Sequence, residues 1–248
     1  MNTQSSRFSI GIDDATPIFV LTGAGISAES GLRTFRDSGG LWENHSIEDV
    51  ATPKGFARDP HLVWRFYSER RKQAADAKPN AAHIALARLE ETIGERLCIV
   101  TQNVDDLHEK AGSQNVIHMH GELSKTRCTT CERAPFEDHD LYIDVLPKCA
   151  LCGGMLRPHI CWFGEIPYEE SRIYTELERA SVFVTIGSSG SVYPAAGYVR
   201  DARRCGGPKK VLVYVGLERP QNADAFDVCV LGKASEIVPQ LFEKFSGQ

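Results

Sequence analysis

Ile18-Phe19-Val20-Leu21-Thr22-Gly23-Ala24-Gly25-Ile26-Ser27-Ala28 decides the fold of this 248-residue chain. Its apolar first half, without a polar alternation, reads as a strand buried on both faces of a parallel sheet. The second half is G-x-G-x-x-A. Glycines there let the backbone turn sharply and approach a pyrophosphate, and the small third position lets a following helix pack close with its amide end toward the anion. A plain dinucleotide-binding unit would place its second strand and an acidic ribose-binding residue about 20 residues on. Here the next buried run is Leu97 to Thr101, after a Gly/Ser/Arg-rich stretch from Ser30 to Trp42 and two predicted helices near Leu62 to Ala75 and Ala81 to Ile93. An insertion therefore follows the first turn.

Two late apolar runs, Val182 to Ile186 and Lys210 to Val215, end at the small-residue turns Gly187-Ser188-Ser189-Gly190 and Val215-Gly216. The carboxyl ends of parallel strands form a ligand crevice, so these turns should line one cleft with the first. A final helix is expected from Ala234 to Phe245, with Ile237, Leu241 and Phe245 at helical spacing. The predicted class is α/β: a Rossmann-like parallel sheet with an inserted small, zinc-ribbon-like module and a helical module. The large part takes about 10–40, 94–122 and 160–248. The small part takes about 41–93, helical, and 123–159, zinc-binding, all within one domain over 1–248.

Cys128-x-x-Cys131 and Cys149-x-x-Cys152 are separated by 17 residues, enough for a β excursion that returns the second pair to the first. Four thiolates close a tetrahedral zinc shell, which makes the metal structural. Two disulfides are the competing reading, in a chain lacking the marks of secretion. Net charge is −5 with no long basic stretch, against nucleic-acid binding. The start Met1 to Ser6 has no basic leader region, and no apolar run is long enough to span a bilayer. A cytoplasmic, monomeric protein is the expectation. Cys98, Cys161, Cys205 and Cys229 stand alone and are assigned no role.

His120, in His118-Met119-His120-Gly121-Glu122, is a candidate proton acceptor, because imidazole titrates near neutrality. The alternatives are a core histidine at 120 or a functional His118. Asn103 and Asp105 follow the strand at Leu97, where a ligand should sit; either could instead cap the next helix. Tyr67 and Arg70 stand three apart on one helical face, where a phenol and a guanidinium together can bind a carboxylate. Read in isolation they would be a half-buried tyrosine and a surface arginine.

The ordered set Gly23-Ala24-Gly25-Ile26-Ser27, Ser30-Gly31 with Thr34-Phe35-Arg36, Thr101-Gln102-Asn103-Val104-Asp105, His120-Gly121, the cysteine pairs, Phe163-Gly164-Glu165-x-Pro167 and Gly187-Ser188-Ser189 leading to Val192-Tyr193-Pro194-Ala195 resembles the sirtuins. These are NAD-dependent protein-lysine deacylases. The resemblance covers nearly the whole chain and points to the bacterial members of the branch that removes succinyl and malonyl groups. It implies NAD as co-substrate, structural zinc, acyl-lysine proteins as substrates, and nicotinamide and O-acyl-ADP-ribose as products. His120 would be the base acting on the ribose diol, with Asn103 beside it in catalysis. Asp105 and the Ile26 backbone would hold the nicotinamide carboxamide; Gln102 and Asn103 would meet the ribose and an ordered water; Phe35 and Arg36 would close over the cofactor.

Further cofactor contacts implied are Gly23, Ala24, Gly25, Ser27, Glu29, Trp42, Val104, Gly187, Ser188, Ser189, Gly216, Leu217, Glu218 and Ala234. The peptide would add as a strand between Phe163-Gly164-Glu165 and Gly190-Ser191-Val192, with Phe163 and Val192 flanking the lysine stem. Tyr67 and Arg70 would read an acyl carboxylate in a pocket kept wide by Ala51. Four positions depart from the family pattern: Arg33 and Thr34 in the loop, Ser188 for threonine, and Gly216 where an asparagine often meets the adenosine ribose. Two other readings remain open. One is a non-catalytic ADP-ribose or acyl-lysine binding module. The other is a zinc deaminase built on His120-x-Glu122 and Cys128-x-x-Cys131, which the second cysteine pair and Arg127 disfavour.

Overall fold

The computed structural model describes residues 15–33, 41–42 and 45–243, with only the backbone of 41–42. Its strands are β1 (Ile18–Thr22), β2 (Leu41–Trp42), β3 (His45–Ser46), β4 (Leu97–Thr101), β5 (Val116–His118), β6 (Gly121–Cys128), β7 (Phe136–Glu137), β8 (Leu156–Ile160), β9 (Val182–Ile186), β10 (Val211–Gly216) and β11 (Val228–Leu231). The helices are α1 (Ala24–Ala28), α2 (Ile47–Val50), α3 (Pro53–Arg58), α4 (Pro60–Asp76), α5 (Ala81–Ile93), α6 (Leu107–Ala111), α7 (Glu170–Arg179), α8 (Tyr198–Gly206) and α9 (Ala234–Leu241).

Six strands form one parallel sheet in the order β11-β10-β9-β1-β4-β5. The chain runs from β1 outward through β4 and β5, then returns to β9 and builds outward the other way. Strand order thus reverses between β1 and β9, and at such a switch point the two following loops splay apart and leave a crevice.

Alternation along β1 divides the core in two. Ile18 and Val20 join Ile99, Val184 and Val213 under α5 and α9. Phe19 and Leu21 join Val100, Phe183 and Leu212 under α7 and α8, with the Phe19 and Phe183 rings stacked at 5.4 Å. Both faces are dry, which explains why the strand sequences show no polar alternation. Helix α5, expected in the helical excursion, belongs to the sheet. Its Ala82, Ala85, Leu86, Leu89 and Ile93 recur at three- and four-residue steps and cover one sheet face.

A third core holds the two excursions together. Val50, Phe56, Val63, Trp64 and Tyr67 from α2 to α4 pack with Leu123, Leu156, Ile160 and Trp162 around the antiparallel strands β6 and β8. Arg71 clasps the two parts. Its guanidinium group donates to the carbonyls of Leu123 (2.7 Å), Asp140 (2.7 Å) and Lys125 (3.3 Å) and to Thr126 Oγ1 (2.8 Å), and pairs with Asp138 at 3.4 Å. A buried cation persists only when its donors are matched in this way. No helix among the described residues is long and apolar enough to cross a membrane.

Candidate active site

The loops after β1, β4, β9 and β10 line a cleft of about 730 Å³ at the carboxyl edge of the sheet. On the side of β1 and β9 its wall is made of interlocked turns. Gly25 N donates to Gly187 O at 2.9 Å, and Gly187 adopts φ +66. A Cβ on Gly187 would lie 2.4 Å from Ile26 N, and one on Gly25 would lie 2.7 Å from Gly187 Cα. The two backbones therefore touch with no room for side chains, and the G-x-G spacing follows from that contact. The Ile26 side chain points away into the core, so only its backbone faces the switch point.

Behind these turns a polar network fixes the residues after β4. Asn103 Nδ2 donates to Gly23 O (3.2 Å) and Ser27 Oγ (3.0 Å), and Ser27 Oγ donates to Asp105 Oδ2 (3.1 Å). With both amide hydrogens used, Asn103 offers its amide oxygen as an acceptor. Asp105 Oδ1 accepts from Leu107 N at 3.2 Å, so the carboxylate secures the start of α6 as well as lining the cleft. Burial raises its pKa, opposed by these two hydrogen bonds. Gln102 Nε2 donates to Ser188 Oγ at 3.0 Å, a bond that the serine hydroxyl makes as well as a threonine would.

His120 lines the cleft beside this network. Its Nδ1 lies 3.0 Å from Gln102 O, and a carbonyl only accepts, so Nδ1 carries the proton and Nε2 carries the lone pair. Burial lowers the His120 pKa, partly offset by that bond, which keeps the ring neutral at neutral pH. Gly121 follows because the chain turns there at φ +83 against β8, where a Cβ would lie 2.0 Å from His159 O. His118 is different: both its nitrogens meet acceptors, Asn103 O at 3.3 Å and Glu109 Oε1 at 2.8 Å. Burial opposes charge on that ring, but Glu109 outweighs it and raises the pKa. Its contacts tie it to α6 and the loop after β4, whereas His120 lines the cleft with Nε2 left to accept a proton.

The opposite wall is built from side chains. Ala51, Tyr67 and Arg70 line it with Trp162, Phe163 and Val192. The Tyr67 hydroxyl accepts from Trp162 Nε1 at 3.0 Å, and Arg70 stands 5.8 Å over the Phe66 ring. Ala51 O accepts from Phe163 N at 3.0 Å, and Glu165 N donates to Trp162 O at 2.9 Å. The Glu165 carboxylate grips Arg157 at 2.7 and 2.9 Å and shapes the turn while lining the cleft.

Sulfur atoms of Cys128, Cys131, Cys149 and Cys152 all lie within 4.8 Å of one another, with Cys128–Cys152 at 3.5 Å and Cys131–Cys149 at 3.8 Å. A disulfide would bring sulfurs to about 2 Å. Zn–S bonds of about 2.3 Å in a tetrahedron place sulfurs about 3.8 Å apart, so the quartet fits zinc and closes its shell. Among the described residues this is the one group of side chains placed to hold a metal, and His120 is outside it. That removes the deaminase arrangement.

Residues 23–194 match the model of the Sir2 family. The chain belongs to the Sir2 family. Among curated relatives, the "NAD-dependent protein deacylase" of Pasteurella multocida is 54% identical over 232 residues, covering 92% of this chain and 97% of that protein. That of Vibrio vulnificus is 51% identical over 229 residues, covering 92% of each. Among solved structures, a mutant Sir2 homologue in complex with ADP-ribose superposes with a TM-score of 0.86 at 40% identity, covering 94% of this chain and 93% of that one. A mutant Sir2 bound to a p53 peptide and NAD gives 0.77 at 32% identity, covering 92% and 93%.

Two of the expected Sir2 contacts, Ile26 and Glu29, are not among the residues that line the cleft. Glu29 does not line the cleft; its carboxylate holds Ser235 N at 3.1 Å and Ser235 Oγ at 2.5 Å, where an anion suits the start of α9. Phe35 and Arg36 lie outside the described residues, as does the Trp42 side chain. Gly216, Leu217, Glu218 and Ala234 do line the cleft. The Tyr214 ring occupies the space beside Gly216: a Cβ there would lie 2.3 Å from its hydroxyl, which donates to Ser188 O at 3.2 Å. Tyr214 and Trp162 are lining residues that pattern reading missed, because as apolar members of a strand and a turn they look like core.

Proposed function

We propose that this Sir2-family chain is an NAD-dependent protein-lysine deacylase that accepts acyl groups ending in a carboxylate, succinyl and malonyl, as well as acetyl. The supporting observation is that Tyr67 and Arg70 line the same cleft as His120 and Ala51. A phenol and a guanidinium lining one pocket suit a carboxylate, since the arginine offers parallel donors to two oxygens. Ala51, with no side chain beyond Cβ, leaves length for a diacid.

Bound NAD would supply an electrophilic ribose carbon, once nicotinamide leaves, and the ribose hydroxyls that receive the acyl group. Gly23 to Ser27 and Gly187 to Ser189 would cradle its phosphates with backbone amides. Asp105 would accept from the carboxamide NH2, and Asn103 would present its oxygen to a water or hydroxyl. His120 Nε2 would take a proton from the ribose diol, helping the hydroxyl attack the acyl carbon, and return it as lysine departs. The peptide would enter as a strand beside Gly164 and Val192. Since the N–H groups of Phe163 and Glu165 are used internally, the Gly164 amide and neighbouring carbonyls would carry the pairing. The closed cysteine quartet and the bacterial deacylase relatives support a reducing, cytoplasmic setting and a structural role for zinc.

The test compares acetyl-, malonyl- and succinyl-lysine versions of one peptide with NAD. Tyr67→Phe combined with Arg70→Met should lower kcat/KM for the succinyl peptide about thirty- to over a hundredfold, the worth of a lost charge-assisted pair. Loss on the acetyl peptide should be far smaller. Equal losses on both would reject the carboxylate-reading role, and nicotinamide release absent from all three peptides would favour a binding module.

A further inference from the structure

The segment 189–196 joins β9 to α8, and Ser189, Ser191, Val192, Tyr193 and Pro194 line the cleft from it. Between Ile186 and Ala195 it contains no helix or strand, so its shape depends on contacts with neighbouring loops. Both of its ends rest on two consecutive residues of the loop after β10. Gln221 N donates to Ser189 O at 3.0 Å, and Asn222 Nδ2 donates to Ala196 O at 2.7 Å. Ala196 N in turn donates to Val192 O at 2.8 Å, which carries the hold of Asn222 to the residue beside which the peptide is proposed to enter.

A carbonyl only accepts, and this fixes the Asn222 amide with its nitrogen at Ala196 and Oδ1 toward Gly190. The fit there is close. A Cβ on Gly190 would lie 2.2 Å from Oδ1, and Gly190 adopts φ +70, so glycine is needed on both counts. Oδ1 is buried and makes no hydrogen bond among the described residues, an unfavourable arrangement that the bond at the other end of the same amide offsets. Asn222 itself is not among the residues that line the cleft.

We propose that Asn222 is a positioning residue for the peptide substrate: with Gln221 it holds both ends of segment 189–196 and so presets the main chain against which the peptide pairs. A strand that binds through main-chain bonds gains affinity when its partner is already in place. The inference rests on peptide entry beside Gly164 and Val192 and adds what holds one side of that slot. Asn222 acts through Ala196 and Gly190 and does not touch the reacting atoms.

The test measures peptide KM, kcat and ADP-ribose affinity with one acetyl-lysine peptide. Asn222→Ala should raise the peptide KM about two- to tenfold, the range of one net hydrogen bond, with a smaller change in kcat. Asn222→Asp, which sets an oxygen against Ala196 O in place of the donor, should raise KM at least as much. ADP-ribose affinity by calorimetry should stay near wild type, because the Gln221 bond is main chain and survives both substitutions. Gly190→Ala should also raise KM, and by less in the Asn222→Ala protein, where the overlap with Oδ1 is gone and only the left-handed strain remains. Peptides N-methylated at the residues flanking the acyl-lysine test the underlying reading, since they cannot donate to a pairing strand. If N-methylation raises KM and Asn222→Ala does not, the positioning role is wrong and strand entry stands. If N-methylation has no effect, strand entry itself fails and the inference with it. Equal losses of peptide and ADP-ribose affinity in Asn222→Ala would reduce Asn222 to general support of the fold and overturn the proposal.

Discussion

The two walls of the cleft are built from different materials. The nucleotide wall is backbone against backbone: Gly25 and Gly187 in contact, Gly23 bonded to Ile186 O, and side chains used behind the surface to hold turns in place. The opposite wall, proposed to hold the acyl group, is side chain against side chain: Tyr67 from α4 meets Trp162, 95 residues away, and Arg157 with Glu165 pins the latter. A backbone-built wall tolerates almost no substitution, because adding any Cβ moves the main chain. A wall of side chains can be retuned one group at a time while the fold persists. The contrast suggests how a single scaffold keeps one co-substrate and varies the acyl group.

The strongest way to break this contrast is Gly187→Ala. A left-handed backbone costs alanine about 1–2 kcal/mol. Overlap with Ile26 N, 2.4 Å from the new Cβ, costs about 1–3 more. ADP-ribose affinity measured by calorimetry should fall at least about thirtyfold. Tyr67→Phe on the other wall should leave that affinity unchanged. Near wild-type ADP-ribose binding by the Gly187→Ala protein would mean the wall yields, and the distinction between the two walls would fail.

Adjacent arginines on α4 sharpen the same contrast. Arg71 and Asp138 are almost fully enclosed, at 4% and 6% side-chain exposure. Burial lowers the Arg71 pKa, opposed by Asp138. Arg71→Leu leaves that carboxylate and three carbonyls without their donor, and breaking a buried pair typically costs about 3–5 kcal/mol. Urea unfolding in the presence of zinc should show a loss of that size. Arg70→Leu, one residue earlier and facing the cleft, should cost under about 1 kcal/mol of stability while removing acidic-acyl preference. Similar stability losses for the two would erase the division between clasp and reader.

That pair also shows where sequence reading stops. Helical spacing places Tyr67 and Arg70 on one face, but it cannot say that Arg71 turns inward, since its acceptors lie 52 to 69 residues away. The parallel sheet was legible because burial on both faces removes polar alternation: β4 and β9 match the apolar runs at Leu97 to Thr101 and Val182 to Ile186. The edge strands β5 and β11 were not, being short and only partly buried. The cysteine quartet and the glycine turns were legible because spacing and absent side chains are themselves the chemistry. Glu29 misled, because an acidic residue near a nucleotide turn can serve a helix terminus as easily as a ribose. Trp162 carried no signal, since its place in the wall depends on a contact 95 residues away.

Acid should loosen the walls in sequence. Behind the nucleotide wall, His83 and His108 lie buried edge to face at 5.0 Å, and His108 Nε2 meets Thr22 Oγ1 at 3.0 Å, at the end of β1. Burial drives the His83 pKa from 6.5 down to about 4, and drives His108 well below its usual value, with His83 adding to that shift. Both rings are neutral in the fold, whereas the unfolded chain takes up their protons near pH 6.5. Their contribution is therefore intact above that pH and is lost as pH falls toward the folded pKa; for His83 the loss reaches about 2 kcal/mol by pH 5. On the acyl wall, burial raises the Glu165 pKa but Arg157 outweighs it and the net shift is downward. That contribution survives until the pH falls below the ordinary carboxylate range. Urea unfolding from pH 7 to 5, in excess zinc, should show the decline, and His83→Gln should flatten it. A stability that is level across that interval, or a slope unchanged by His83→Gln, would show that the buried imidazoles do not set the acid limit and that the nucleotide wall is not the first to yield.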